Sequence, residues 1–140
     1  MADSHGHLVF ACGFSLYAVP ADTASEVVTV PSLTRVPGAP AHLLGVFAHR
    51  GEVLPVVDLT RLTGHALDAD FRRAVLVRTP KGAVALTATR VLGVSTLEGT
   101  FDRLGDTGVQ QHLRGPARSP HGEVAVIDTQ TLVDFLAHAA

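Results

Sequence analysis

Apolar residues in this chain fall into short runs of strand length, each broken by glycine, proline or a charged pair, and helical spacing is rare. Residues 8–12, Gly13 and residues 14–19 predict a first hairpin, with the glycine at the natural turn point. Pro20 ends that strand, and residues 20–25 predict one reversing helical turn with proline at an early position. A β-rich strand over 26–30 follows and stops at Pro31, and the prolines and glycine of 33–40 then forbid helix and predict an extended, turning linker.

The most patterned stretch is 45–59. Two apolar strands flank the pivot His49-Arg50-Gly51, which predicts a second tight hairpin. Pro55 carries no N–H, so its strand is expected either at a sheet edge or short of one ladder bond. Before the hairpin, Ala41-His42-Leu43-Leu44 predicts a helical turn; after it, Asp58 and Gly64 bracket a short helix as N-cap and C′ residue. Residues 65–70 read as an exposed polar connection.

The second half follows the same logic. Strands are predicted over 73–79 and 83–87 around the turn Pro80-Lys81-Gly82, over 91–97, and over 123–127 after His121-Gly122. Residues 98–118, rich in glycine and charge, read as irregular. Asp128 or Thr129 caps a final helix carrying Leu132, Val133, Phe135 and Leu136. Many short strands with one substantial helix predict a mainly β fold of two small barrels sharing strands, in one domain over 1–140, with 1–7 as a disordered N-terminus. The two halves share too little sequence to constitute a repeat.

Composition narrows the function. A length of 140 residues is enough to bury a core of roughly two-thirds of the unfolded surface. A net charge of −2 without long runs of one sign leaves no footprint for nucleic acid or an anionic membrane. No apolar run is long enough to span a bilayer and the start lacks the pattern of a signal peptide, so a cytoplasmic location is expected. The single Cys12 lies in an apolar run and reads as a small buried hydrophobe.

The motifs of thiol redox centres, nucleophile elbows, dinucleotide folds, P-loops and zincins are missing, which argues against an enzyme. The eight histidines are scattered, and His5-x-His7 reads as a frayed terminus, so no metal and no cofactor are expected. Asp68 and Asp70 read as a solvated linker rather than an acid/base pair, and His49 beside the turn reads as a solvated loop residue, ahead of a contact or pH-sensing role. A small ligand-binding barrel or enzyme stays open as a third class, and would need a concave site with convergent polar groups.

The pattern Gly45-Val46-x-x-x-Arg50-Gly51-x-Val53-Leu54-Pro55-Val56-Val57-Asp58-Leu59 resembles the CheW-like chemotaxis coupling proteins. Ser25-Glu26-Val27, the run Ala41-His42-Leu43-Leu44 into Gly45-Val46, Leu113-Arg114-Gly115 and the closing strand and helix extend the likeness over nearly the whole chain. The resemblance implies two intertwined five-stranded SH3-like β-barrels with a few short helices and a C-terminal helix. It further implies a non-catalytic adaptor that ties the cytoplasmic tip of methyl-accepting chemoreceptors to the regulatory domain of a CheA-type histidine kinase, recruited to receptor arrays at the inner membrane without inserting into it.

Glu26 and Arg50 match the family's acidic and basic pair, associated with receptor binding, and are expected to form an ion pair. The kinase is expected at Ala24, Val27 and Val28, with His49 and Gly51 completing the partner-binding set. The sequence departs from the family where Ala48-His49-Arg50-Gly51 replaces the common Asn-Leu-Arg-Gly, where Ala24 replaces a larger aliphatic residue, and at Gly115-Pro116. A divergent scaffold in a motility or developmental pathway, binding a kinase or other CheW-like domains but not a receptor, is the alternative.

Overall fold

The computed structural model describes residues 6–64 and 72–138. Among these residues eleven strands form two sheets: β1 (Gly6–Cys12), β2 (Ser15–Pro20), β3 (Ala24–Thr29), β4 (Leu43–His49), β5 (Glu52–Val57), β6 (Arg73–Thr79), β7 (Gly82–Ala88), β8 (Arg90–Thr96), β9 (Glu98–Arg103), β10 (Leu113–Ser119) and β11 (Gly122–Ile127). Two α-helices accompany them, α1 (Leu59–Leu62) and α2 (Thr129–His138), together with a 3-10 turn at Gly108–His112. One sheet has the order β8-β1-β2-β11-β10-β9 and the other β3-β6-β7-β5-β4.

The barrels therefore do not divide the chain into halves. The N-terminal hairpin joins the C-terminal strands through a parallel pairing of β2 with β11, and the middle strands form the other unit through a parallel pairing of β5 with β7. Chain continuity draws each open sheet toward closure. Strands β8 and β9 are one bent strand with buried Leu97 at its corner, so six hydrogen-bonded strands amount to a five-stranded barrel. In the other unit the segment after β3 returns to the outer edge of β4 through the Thr34–Val46 bridge, both bonds at 2.9 Å. A Cβ on Gly45 would stand 2.7 Å from the Thr34 carbonyl oxygen, so only glycine admits this crossing.

Strands shared between cores explain why the sequence shows continuous apolar runs rather than alternation. In β6, Ala74 and Leu76 join Val28, Phe47, Leu54, Val56 and Ala85 inside the five-stranded unit. Val75 and Val77 face the other way and meet Phe10, Tyr17, Val19, Leu86, Ile127, Leu132 and Val133 in a core between the sheets. Val9, Ala18, Leu97, Ala117, Val124 and Val126 fill the third core, inside the larger sheet. Cys12 lies in the central core, where burial pushes its thiol pKa up.

Several expectations need correction. Gly6 and His7 belong to β1 rather than to a disordered tail: they pair with Thr96 and Ser95, and His7 is buried with its ring stacked on Phe101 at 6.3 Å. Residues 20–23 make a turn closed by Thr23 N–H to the Pro20 carbonyl at 3.0 Å, not a helical turn, and β3 starts at Ala24. Leu43 and Leu44 begin β4 instead of a helix, because they complete the pairing with β5. Residues 98–118 are ordered as β9, the 3-10 turn and β10, with a register shift where β10 passes Gly115-Pro116.

Strand β5 is not an edge strand. Pro55 is tolerated because Val46, opposite it, spends its N–H and carbonyl on Thr34, so no β4–β5 bond is due there, and on the other side the pairing with β7 begins only at Val56. The helix after Asp58 is present, with Asp58 accepting from Thr60 N–H at 2.9 Å. The connection containing Asp68 and Asp70 lies outside the described residues.

Candidate functional site

The end of the five-stranded unit nearest the β4–β5 turn is built by simple alternation. Side chains two positions along a strand share a face. Stepping two residues outward from the core layer Val28, Phe47, Leu54 and Leu76 reaches Glu26, His49, Glu52 and Arg78, one from each of β3, β4, β5 and β6. The barrel interior thus ends in a ring of charged and polar groups where it meets water.

The ring is paired internally. Arg78 grips Glu52 as a fork, Nη1 to Oε2 at 3.1 Å and Nη2 to Oε1 at 2.8 Å. Glu26 Oε1 lies 2.9 Å from His49 Nε2 and 3.3 Å from Arg50 Nη1. The His49 bond chiefly, and the Arg50 charge after it, hold the Glu26 carboxyl below the usual carboxylate range against the effect of partial burial. Arg78 does the same for Glu52.

Arg50 stands apart from the ring. It occupies the first central position of a two-residue turn between His49 and Glu52, with φ of 53°, and Gly51 follows at φ 80°. Two consecutive positive φ values make a type I′ turn, whose twist suits a hairpin but which favours asparagine or glycine. An arginine in this conformation costs about 1–2 kcal/mol. Its side chain is 77 % exposed, against 28 % for Glu26 and 22 % for His49.

The structure thus brings Glu26, His49, Arg50 and Gly51 together. It makes His49 a half-buried ring member, with Phe47 edge-on at 5.9 Å, rather than a solvated loop residue. Val27 is partly exposed on β3. Val28 is not available to a partner: it points into the barrel and is 6 % exposed, because it shares its face with Glu26 but sits one layer deeper. Ala24 is half-buried against the central core. Glu52, Arg78 and the exposed Val53 were not singled out from sequence, although the spacing of Glu52 from Leu54 and of Arg78 from Leu76 carried the signal.

Two cavities lie away from the rim. One of about 420 Å³ between α2 and the 36–43 segment is lined mainly by apolar residues. Another of about 850 Å³ is edged by Arg35, Arg61 and Arg72, of which Arg61 is held by Asp58 at 3.3 Å. Among the described residues no group of His, Cys, Asp and Glu is arranged to hold a metal, and no helix is long and apolar enough to cross a membrane.

The described residues thus form a two-sheet double-barrel fold with a charged rim and an exposed turn. Residues 6–134 match the model of the CheW-like domain. The chain is 30 % identical over 122 residues to protein FrzA of Myxococcus xanthus, covering 84 % of this chain and 76 % of FrzA. Its fold is that of the scaffolding protein TtCheW from Thermoanaerobacter tengcongensis, with a TM-score of 0.76 at 22 % identity, covering 88 % of this chain and 83 % of that one. The chain belongs to the CheW-like family: it is a non-catalytic scaffold of chemotaxis-like signalling.

Proposed function

We propose that this protein couples a chemoreceptor tip to the regulatory domain of a CheA-type histidine kinase in the cytoplasm, holding both in a fixed relation within a receptor array. The observation that carries the reading is the rim at Glu26, His49 and Arg50 on a chain that matches the family over 6–134. Arg50 keeps a strained backbone and an exposed guanidinium, a combination that stability alone would not favour. Val27 on β3 and Val53 on β5 supply further exposed apolar area, on two strands that are not adjacent in the sheet.

The likeness to FrzA, together with His49 in place of the family's usual leucine, favours a second reading: a divergent scaffold of a motility or developmental pathway that holds a kinase or other CheW-like domains without a receptor. One binding experiment separates the two. Purified chain is titrated with the soluble kinase regulatory domain and with a receptor tip fragment from the same genome. Binding of both, weakened by Arg50→Ala in a folded variant, is the expected result. Binding of the kinase domain alone establishes the second reading, and binding of neither overturns the first and leaves the second only other CheW-like domains as partners.

A further inference from the structure

Glu26 has two neighbours able to donate to it where one would fix it. His49 Nε2 is the nearer, at 2.9 Å, and its ring is fixed at the end of β4 with Phe47 edge-on; Arg50 Nη1 is at 3.3 Å on a side chain that the left-handed turn throws outward. The remaining charges of the rim are already committed, since Arg78 and Glu52 hold each other in a fork. A leucine at position 49 would offer Glu26 no donor, and the carboxylate would then have to draw in Arg50.

We infer that His49 is a positioning residue that anchors Glu26 ahead of Arg50, so that the Arg50 guanidinium, which makes the longer of the two contacts, is left largely free for a carboxylate on the partner. A guanidinium has five N–H donors, and the contact with Glu26 engages one of them, leaving a fork for bidentate recognition of an acidic side chain. This rests on the reading that the rim faces a partner.

Two measurements on the full chain test it. In the first, the Glu26 carboxyl is titrated by NMR in the parent, Arg50→Ala, His49→Leu and the double variant. Arg50→Ala shifts the titration little in the parent and strongly in the His49→Leu background, where Arg50 has become the anchor. Equal shifts in both backgrounds overturn the assignment, and this readout does not depend on any partner.

In the second, affinity for the receptor tip fragment, or for the kinase regulatory domain if that alone binds, is measured for the same set and for His49→Gln. Arg50→Ala and His49→Leu each weaken binding about tenfold. The double variant is no weaker than Arg50→Ala, and His49→Gln, which keeps a donor, stays close to the parent. Parental affinity in His49→Leu overturns the inference. Failure of the parent to bind either fragment overturns the partner reading instead, and leaves the titration to decide the role of His49.

Discussion

Arg50 illustrates how a single residue can be chosen against the preferences of its own backbone. A type I′ turn with φ 53° and 80° calls for Asn-Gly, and the glycine is present while the asparagine is not. Replacing Arg50 by asparagine removes a strain of about 1–2 kcal/mol and an exposed ion pair of small value, so the folded protein should gain up to about 1 kcal/mol. The urea midpoint of Arg50→Asn is expected to rise while partner binding falls. A lower midpoint would show that Arg50 supports the turn rather than a contact. Gly51 was legible as a glycine that a turn would need. The partner of Gly45, the Thr34 carbonyl 2.7 Å from where a Cβ would stand, was not, because it arrives from a linker eleven residues upstream.

At the level of elements, the chain uses one unit twice. Strand β5 runs into Asp58 and α1, and β11 runs into Asp128 and α2. Each aspartate caps its helix, accepting from Thr60 N–H at 2.9 Å or Thr131 N–H at 3.3 Å. Each donates its own N–H to a histidine carbonyl, His42 at 2.8 Å or His112 at 2.9 Å. The caps were readable from Asp-Leu-Thr and Asp-Thr-Gln, but the correspondence was not, since backbone bonds leave no trace in side-chain identity.

His112 gives the second unit a pH dependence. Its Nδ1 lies 2.9 Å from the Thr131 hydroxyl, which itself donates to the Asp128 carbonyl at 3.3 Å, so Nδ1 carries the proton and donates. Nε2 is buried without a partner, and the ring packs on Phe135 of α2 at 4.8 Å. Burial lowers the pKa of His112 and outweighs the opposing charges of Asp128 and Asp134. The neutral form is therefore favoured on folding, and its contribution is fully present above the unfolded value of about 6.5 and declines as pH falls through the lowered folded value. Stability measured from pH 8 to 5 should drop less in His112→Phe than in the parent, with amide exchange in α2 following the same trend. Identical pH profiles would remove His112 from the account.

Across the whole molecule, the central core decides cooperativity. It takes Phe10 and Tyr17 from one sheet, Val75 and Leu86 from the other, and Leu132 and Val133 from α2, so neither unit buries its outer face alone. Tyr17 is the single tyrosine of a chain without tryptophan, which makes its fluorescence a reporter of that core. Leu54→Ala, inside the five-stranded unit and remote from Tyr17 in sequence, should cost about 2–5 kcal/mol. If the two units unfold together, Tyr17 fluorescence and circular dichroism will shift to one lower midpoint. Separate midpoints would mean that the units unfold independently.

The sequence by itself determined the class of the fold, the hairpin turns and the helix caps, because these depend on neighbours within a few residues: short apolar runs, glycine at turn points, aspartate ahead of a helix. It also placed Glu26 and Arg50 as a pair through a family pattern. The tertiary structure alone decided that the N-terminal hairpin joins the C-terminal strands, that 98–118 is ordered, and that Val28 is core while Glu26 is rim. Strands buried on both faces lose the alternation that assigns a side, and pairings between β2 and β11 or β5 and β7 are set by packing rather than by any local signal. For the same reason the bond between His49 and Glu26, 23 residues apart, emerged only when the two edges of the sheet were brought together.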